Sequence, residues 1–298
     1  MSDDAGRMDA ATRGFVAHRN LLFTVAYEML GSAADAEDVL QETWLKWVGV
    51  DLGVVQDQRA YLVRMVTRQA LMRLRTLGRR KESYVGPWLP EPLLTSPDVA
   101  EDVELADSVS MAMLLVLETL TPTERAVFVL RDVFDLPYAE IAEAVGKSAA
   151  AVRQIAHRAR SHVTARRPRA GVSQDEIRGA LAAFQRAAET GDLQGLLSIL
   201  APDVVFLGDG GGAVQAALTP LVGAGHVAWL AARLSRYGVA ALQPAQINGH
   251  PALVLRVGGE VDTVFAARVE GGLITGLYAV RNPAKLSRVD RETTVSRG

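Results

Sequence analysis

The stretch Leu136–Val163, LPYAEIAEAVGKSAAAVRQIAHRARSHV, constrains the chain more than any other. Two short helical patterns meet at one glycine. Ile141, Ala142 and Val145 form the apolar stripe of the first. Gly146, lacking a Cβ, permits the sharp turn, and Ser148 is placed to cap the second helix. That helix is expected to bury Val152, Ala156, Ala159 and Val163 at helical spacing. Its outer face carries Arg153, Gln154, His157, Arg158 and Arg160. The layout is that of a helix-turn-helix whose second helix fits a DNA major groove. An ordinary helix pair with a solvated basic face is the alternative on pattern alone.

The distribution of charge favours the DNA reading. The net charge of the 298 residues is only −2, but the signs are segregated. Lys147, Arg153, Arg158, Arg160, Arg166, Arg167 and Arg169 follow the turn with no Asp or Glu among them. A second acid-free run, Ala60–Lys81, holds Arg64, Arg68, Arg73, Arg75, Arg79, Arg80 and Lys81. Between them, from Glu82 to Glu124, every charged residue is acidic. Two single-sign basic helices suit a polyanion touched at two places. The absence of cysteine excludes disulfides, thiolate metal sites and Cys nucleophiles. No apolar run approaches the ~18 residues of a membrane span. The amino-terminal residues lack the apolar core of a signal peptide. A soluble cytoplasmic protein without cofactor, metal or membrane partner is expected.

Ahead of the basic helix, Phe15–Leu30 and about Ala33–Val48 read as helices, with Ser32 as a cap. The second turns Val39, Leu40, Trp44, Leu45 and Trp47 inward and carries acids on its other side. The basic helix, about Arg59–Arg80, uses Leu62, Met65, Val66, Gln69, Ala70 and Met72 as its inner face. Tyr84–Asp98 contains four prolines and is a linker. Its Trp88-Leu89-Pro90-Glu91-Pro92-Leu93 is too apolar to stand in water and is expected to dock. One helix, about Ala100–Leu120, then leads to Thr121-Pro122-Thr123-Glu124, a cap, an N1 proline and an acid at N3.

From about Gly14 to Arg166 this arrangement resembles the extracytoplasmic-function group of bacterial sigma factors. Asp35–Trp44 is similar to the family's region 2 helix, and the resemblance implies that Asp38, Gln41, Glu42 and Leu45 bind core RNA polymerase. It also implies that Tyr61, Arg64, Arg68, Arg73, Arg75, Arg79 and Arg80 contact the promoter −10 element. Leu120–Arg125 with the Leu136–Val163 motif resembles region 4, which implies −35 contacts by Ser148, Arg153, Gln154, His157, Arg158 and Arg160. The chain departs from the family in the −10 helix, with Gln69 and Met72 where Asn or Asp is common. Three further segments resemble signatures of one subgroup with a SnoaL-like carboxy-terminal extension: Trp88–Leu93, Asp209–Gly212 and Asn282–Leu286, the last with Ala284 where Asp is usual. The resemblance implies self-regulation through Trp88, Pro90, Glu91, Asp209, Gly210, Gly211, Gly212, Asn282, Pro283 and Lys285. The three segments are expected to meet.

Beyond Gly171 the residues read as helices Gln174–Thr190, Asp192–Leu200 and about Gly225–Tyr237. Strands are expected at Val204–Leu207, Leu242–Ile247, Ala252–Val257, Val261–Val269 and Leu273–Val280, with turns at Asn248-Gly249, Gly258-Gly259 and Gly271-Gly272. Helices followed by antiparallel strands give an α+β domain, and the order fits a SnoaL-like cone around a pocket with room for a small-molecule ligand. Asp203, Asp209, His226, His250 and Asp262 are candidate acid/base groups, although no pair has diagnostic spacing and fold alone is a weak guide. Gly210-Gly211-Gly212 lacks the Lys-Ser/Thr of a P-loop.

The expected organisation is multidomain: 1–85 and 108–168 all-α, 86–107 a linker, 171–286 an α+β domain and 287–298 a tail. The expected function is that of an alternative sigma factor, not an enzyme, with core RNA polymerase and promoter DNA as partners and no need of a separate anti-sigma factor. The rivals are a stand-alone helix-turn-helix regulator with a ligand-binding domain, and a SnoaL-type isomerase or cyclase fused to a DNA-binding module.

Overall fold

The computed structural model describes residues 2–96, 99, 102–166, 172–233, 235 and 242–297. Arg167, Arg169, Gly171, Asp98, Glu101 and the stretch toward Tyr237 lie outside them. The chain folds as two compact units, one of residues 1–80, 116–166 and 294–298, the other of 81–115 and 167–293. The two sigma-like helical segments therefore share a unit. The linker belongs with the α+β domain instead of standing between domains.

In the first unit, α1 (Ser2–Leu30) and α2 (Ala33–Trp47) pack antiparallel around buried Leu22, Tyr27, Val39 and Trp47. Ser32 caps α2 by accepting from the Asp35 amide at 3.1 Å. Leu45 is 71% exposed, against the inward placement expected for it. α3 (Gln58–Glu82) buries Leu62, Val66, Gln69, Ala70, Leu74 and Leu77. Met72 also departs from expectation and is 51% exposed, because the helical stripe drifts toward Leu74 and Leu77 by this point.

The expected single helix Ala100–Leu120 is two helices, α4 (Val103–Val109) and α5 (Met111–Leu117). Ser110 makes the break: its hydroxyl bonds the Asp107 carbonyl and accepts from the Met113 amide, the local competition by which serine ends one helix and starts another. α6 (Pro122–Phe128) begins with a full capping box between Thr121 and Glu124 and continues as a π turn, Val129–Val133. Arg125, buried on α6, donates to the Glu28 carbonyl of α1 at 2.9 Å and pairs with Glu118. α7 (Tyr138–Val145) and α8 (Ala149–Thr164) meet at Gly146, whose φ of 67° is the left-handed value that a Cβ would strain.

The second unit carries α9 (Gln174–Thr190), capped by Ser173, and α10 (Leu193–Ile199), capped by Asp192. They lie with α11 (Ala224–Ala232) on one face of a six-stranded sheet. Its strands are β1 (Leu200–Asp209), β2 (Leu221–Val222), β3 (Gln243–Ile247), β4 (His250–Val257), β5 (Glu260–Glu270) and β6 (Leu273–Val280). The order is β2-β1-β6-β5-β4-β3. β1 runs parallel to β6, so the sheet is not purely antiparallel as expected. Alternation splits each strand between two cores. Phe206, Leu253, Leu255, Phe265, Leu277 and Ala279 face the helices. Ala252, Val254, Val264, Ala266, Tyr278 and Val280 face the other way, onto Leu89, Met111, Leu286 and Val289. The linker and the end of the chain thus cover the second face of the sheet. A short helix, α12 (Pro283–Leu286), capped by Asn282, follows β6. The expected tail is also packed: Val289 is buried in this second core, and Val295 is buried in the first unit, where Thr24 accepts from the Ser296 amide.

Candidate functional site

The outer face of α8 is set by its cap and its stripe. Ser148 accepts from the Ala151 amide at 3.2 Å, and Val152, Ile155, Ala156, Ala159 and Val163 turn inward. Arg153, Gln154, His157, Arg158 and Arg160 are left exposed. Two of them have acidic neighbours from outside the run. Arg160 pairs with Asp132, and Arg158 lies 3.9 Å from Glu124. The hydrogen bond and charge of Asp132 raise the Arg160 pKa further. Arg153 lies 5.8 Å from the Tyr138 ring. The face presents side-chain donors near its beginning and fixed charge farther along.

The basic residues of α3 do not form one free surface. Arg73 turns onto α2, where it pairs with Asp35 at 3.5 Å, Asp38 at 3.3 Å and Glu42 at 3.0 Å. Gln69 also donates to Glu42, at 2.8 Å. Arg73, expected at the −10 element, is held by three carboxylates and links α2 to α3. Arg64 pairs with Glu143 of α7 and lies over the Tyr61 ring at 4.8 Å. Arg68 donates to the Glu143 carbonyl at 2.8 Å. Arg75, Arg79 and Arg80 are exposed. On α2, Gln41 and Leu45 are exposed beside Asp38 and Glu42, so the four share one surface.

The three signature segments meet within the second unit, around Asp209, which is fully buried at the end of β1. One oxygen, Oδ1, accepts from the Tyr84 hydroxyl at 2.6 Å. The other, Oδ2, accepts from the Leu89 amide at 2.8 Å and from Lys285 Nζ at 2.7 Å. Lys285 also donates to the Leu89 carbonyl at 2.6 Å. The buried ion pair thus holds both backbone polar groups of one linker residue. Trp88 lies beneath two ammonium groups, Lys81 at 3.4 Å and Lys285 at 4.1 Å from its ring. Pro90, Glu91 and Leu93 are buried. Gly211, at φ 59°, brings bare backbone up to Asn282 and the Tyr84 hydroxyl, while Gly210 and Gly212 flank it in the same turn. Asn282 donates to Tyr84 at 2.7 Å and caps α12, which begins at Pro283. Burial, then the hydrogen bond to Asp209, pushes the Tyr84 pKa well above its ordinary value.

Tyr84 was not among the expected contacts, and neither was a second clasp at the far end of the linker. There Asn248, itself buried, accepts from the Leu93 amide at 3.0 Å and donates to the Val109 carbonyl at 2.9 Å. Its own amide donates to the Leu93 carbonyl. Thr95 continues the pairing along β3 through the Gln246 carbonyl. Asn248-Gly249 read as a turn, and the turn is there, with φ of 54° and 71°. Nothing in that reading pointed to the side chain as a linker contact.

On the opposite face of the sheet, β1, β4, β5, β6 and α11 line a half-open cavity of about 730 Å³. Its walls include Phe206, Leu221, Leu255, Phe265 and Leu277, and Trp229 and Arg233 stand at it as well. The polar groups gather around Arg281. Its Nε and Nη2 hold Asp262 at 2.9–3.2 Å, and Nη1 donates to the Gln215 carbonyl at 2.6 Å. Thr263 also donates to Asp262. Burial works against the Asp262 charge, but the bonds from Arg281 and Thr263 outweigh it and leave the pKa lowered. Of the five candidate acid/base groups, Asp262 is the one that lines the cavity. Asp203 is exposed, His226 bonds the Val222 carbonyl, His250 faces Asp107, and Asp209 belongs to the linker clasp.

Comparison with known proteins agrees with this anatomy. Residues 15–80 match the Sigma-70 region 2 family and residues 110–163 match Sigma-70 region 4. The chain is 38% identical over 291 residues to the ECF RNA polymerase sigma factor SigJ of Mycobacterium tuberculosis, covering 92% of each protein. It is 32% identical over 287 residues to the probable ECF RNA polymerase sigma factor SigI of the same organism, covering 95% of this chain and 97% of that one. The crystal structure of SigJ superposes with a TM-score of 0.74 at 34% identity, over 93% of this chain and 98% of the other. A stand-alone regulator or a tethered enzyme is not favoured by relatives that match from end to end. With sigma regions 2 and 4 in order and an α+β domain behind them, the chain belongs to the extracytoplasmic-function RNA polymerase sigma factors, alternative sigma factors that direct transcription initiation.

Proposed function

We propose that this sigma factor is controlled by its own α+β unit through the linker clasp. The observation that supports this reading is the Asp209–Lys285 pair closing on both backbone groups of Leu89. A buried pair of this kind is costly to disrupt from one side. Opening the linker would also expose Leu89 and Leu93, each worth ~1.5–3 kcal/mol of burial. Such a contact is strong enough to bias a two-state equilibrium. In this reading Asp38, Gln41, Glu42 and Leu45 seat core polymerase. Tyr61, Arg64, Arg68, Arg75, Arg79 and Arg80 serve the −10 element. Ser148, Arg153, Gln154, His157, Arg158 and Arg160 serve the −35 element. The cavity takes a small-molecule ligand and carries out no catalytic step, its one acid being tied to Arg281. Control built into the chain makes a separate anti-sigma factor unnecessary, and the protein acts in the cytoplasm.

The test is run-off transcription with core polymerase from a promoter selected out of a random library. The parent protein is compared with Trp88→Ala and Lys285→Gln, with folding followed by circular dichroism. Both folded variants should differ from the parent in promoter output at equal polymerase concentration. Parent-like output from both would remove the clasp as the control point.

A further inference from the structure

The far end of the linker covers a labile bond. The chain has three asparagines. Asn20 precedes leucine and Asn282 precedes proline, so Asn248 alone precedes glycine. An asparagine side chain ahead of glycine is open to attack by the next backbone nitrogen, because glycine has no Cβ to hinder the ring that forms. The fold nevertheless calls for both residues. Asn248 sits at φ 54° and Gly249 at 71°, in the left-handed region that asparagine and glycine enter most readily. A Cβ on Gly249 would stand 2.7 Å from the Ala106 Cα.

The groups that would react are held by the docked chain. Asn248 Oδ1 accepts from the Leu93 amide at 3.0 Å, and Nδ2 donates to the Val109 carbonyl at 2.9 Å. The side chain cannot turn toward Gly249 without breaking both bonds. The attacking group, the Gly249 amide, donates to Thr95 Oγ1 at 3.0 Å, which keeps its proton from base. Both residues are buried. Leu93 and Thr95 are linker residues, so withdrawal of the linker removes the partner of Oδ1 and the partner of the attacking amide together. What remains is a solvated Asn-Gly turn.

We propose that Asn248 is a modification site gated by the linker: it deamidates while the linker is off the sheet and stays intact while the linker is docked. The Gly249 nitrogen gives up its proton and bonds to Asn248 Cγ. The Cγ–Nδ2 bond breaks, and Nδ2 leaves as ammonia carrying that proton. Water then opens the cyclic imide to aspartate or isoaspartate at position 248. Either product is a poorer seat for the linker. A carboxylate only accepts, so its second oxygen would face the Val109 carbonyl, acceptor against acceptor, in a buried place. Isoaspartate adds a methylene to the backbone and moves the turn out of register with Leu93. Deamidation therefore records an opening of the linker and opposes its return. The site depends on the docking of the linker, not on its control of transcription.

The test incubates the full chain at mildly alkaline pH. Mass spectrometry follows the peptide that contains Asn248, and hydrogen exchange follows the segment 93–95. The chain unfolded in urea sets the unprotected rate. The parent should deamidate at least about tenfold more slowly, the factor that ~1.4 kcal/mol sets. Leu93→Ala loosens the linker but keeps its amide, and Thr95→Val removes the acceptor from the Gly249 amide. Each should speed deamidation while β5 stays protected from exchange. For Leu93→Ala the gain should equal that in exchange of 93–95, since both follow the open population. Either variant suffices if the other does not fold. Asn248→Asp, which carries the product's carboxylate, should exchange faster over 93–95 than the parent. A parent rate equal to the unfolded rate overturns the gating. So does a variant whose linker exchanges faster while Asn248 stays at the parent rate. Parent-like exchange in Asn248→Asp overturns the opposition to redocking. If deamidation is gated while Trp88→Ala transcribes like the parent, the control reading falls and the modification site stands.

Discussion

Asp209 and Tyr84 show how much a single buried group can hold. Asp209→Asn keeps the shape but removes the charge opposite Lys285, which is 8% exposed. Leaving one partner of a buried pair uncompensated costs about 3–5 kcal/mol. Chemical denaturation of the full chain should show a loss of that order in the transition of the α+β unit. Tyr84 gives an alkaline signature. Its folded pKa is raised above the ordinary 10.0, chiefly by burial and then by the bond to Asp209. The folded state therefore holds the phenolic proton more tightly than the unfolded one. That stability is fully present below pH 10 and is lost as pH rises through the folded pKa. Tyr84→Phe should flatten this part of the stability profile above pH 10, as read by urea melts at a series of pH values. An unchanged slope would mean that Tyr84 ionises as freely as in water.

At the scale of elements, the recognition helix divides by position. Arg153→Ala should relax base preference at one promoter position, costing about 1–3 kcal/mol if the contact is bidentate. Arg166→Ala, beyond the end of α8, should weaken all promoters alike and lower the salt slope by about one unit. Binding titrations on a promoter library at several salt concentrations separate the two. The turn itself makes a sharper demand. A Cβ on Gly146 meets nothing within 4 Å, so Gly146→Ala pays only for the left-handed backbone. The loss should be about 1–2 kcal/mol in an equilibrium melt. On α2, charge reversal at Asp38 or Glu42 would also release Arg73, which makes Leu45 the cleaner probe. Leu45→Glu should weaken co-purification with core polymerase while stability stays within about 0.5 kcal/mol, as for an exposed site.

For the molecule as a whole, the end of the chain is structural. Removing everything from Asn282 onward takes away the clasp, and with it buried Leu286, Val289 and Val295. If the clasp is the control point, this truncation should raise promoter activity. The packing adds that both units should melt earlier in calorimetry, since each of these side chains contributes ~1.5–3 kcal/mol by burial. Altered transcription by the truncated chain counts as release of control only where Lys285→Gln, which leaves those side chains in place, alters it in the same direction.

Much of this was written locally. The turn at Gly146, the caps at Ser32, Thr121, Ser148 and Ser173, and the buried stripe of α8 follow from rules that act over three or four residues, and a sequence displays them directly. The apolar linker betrayed its docking for an equally simple reason, since Leu89 and Leu93 would otherwise face water. Partnership across the chain was not legible in this way. Asp209 finds Leu89 across 120 positions and Asn282 finds Tyr84 across 198. The Asn248 clasp, the capture of Arg73 by α2 and the exposure of Leu45 all depend on which faces the helices and strands turn toward one another. The placement of cavity and clasp back to back depends on the register of β1 against β6, because strand alternation sends neighbouring residues to opposite faces. Sequence determined which segments have surface to hide or charge to offer; long-range packing decided which partner each of them meets.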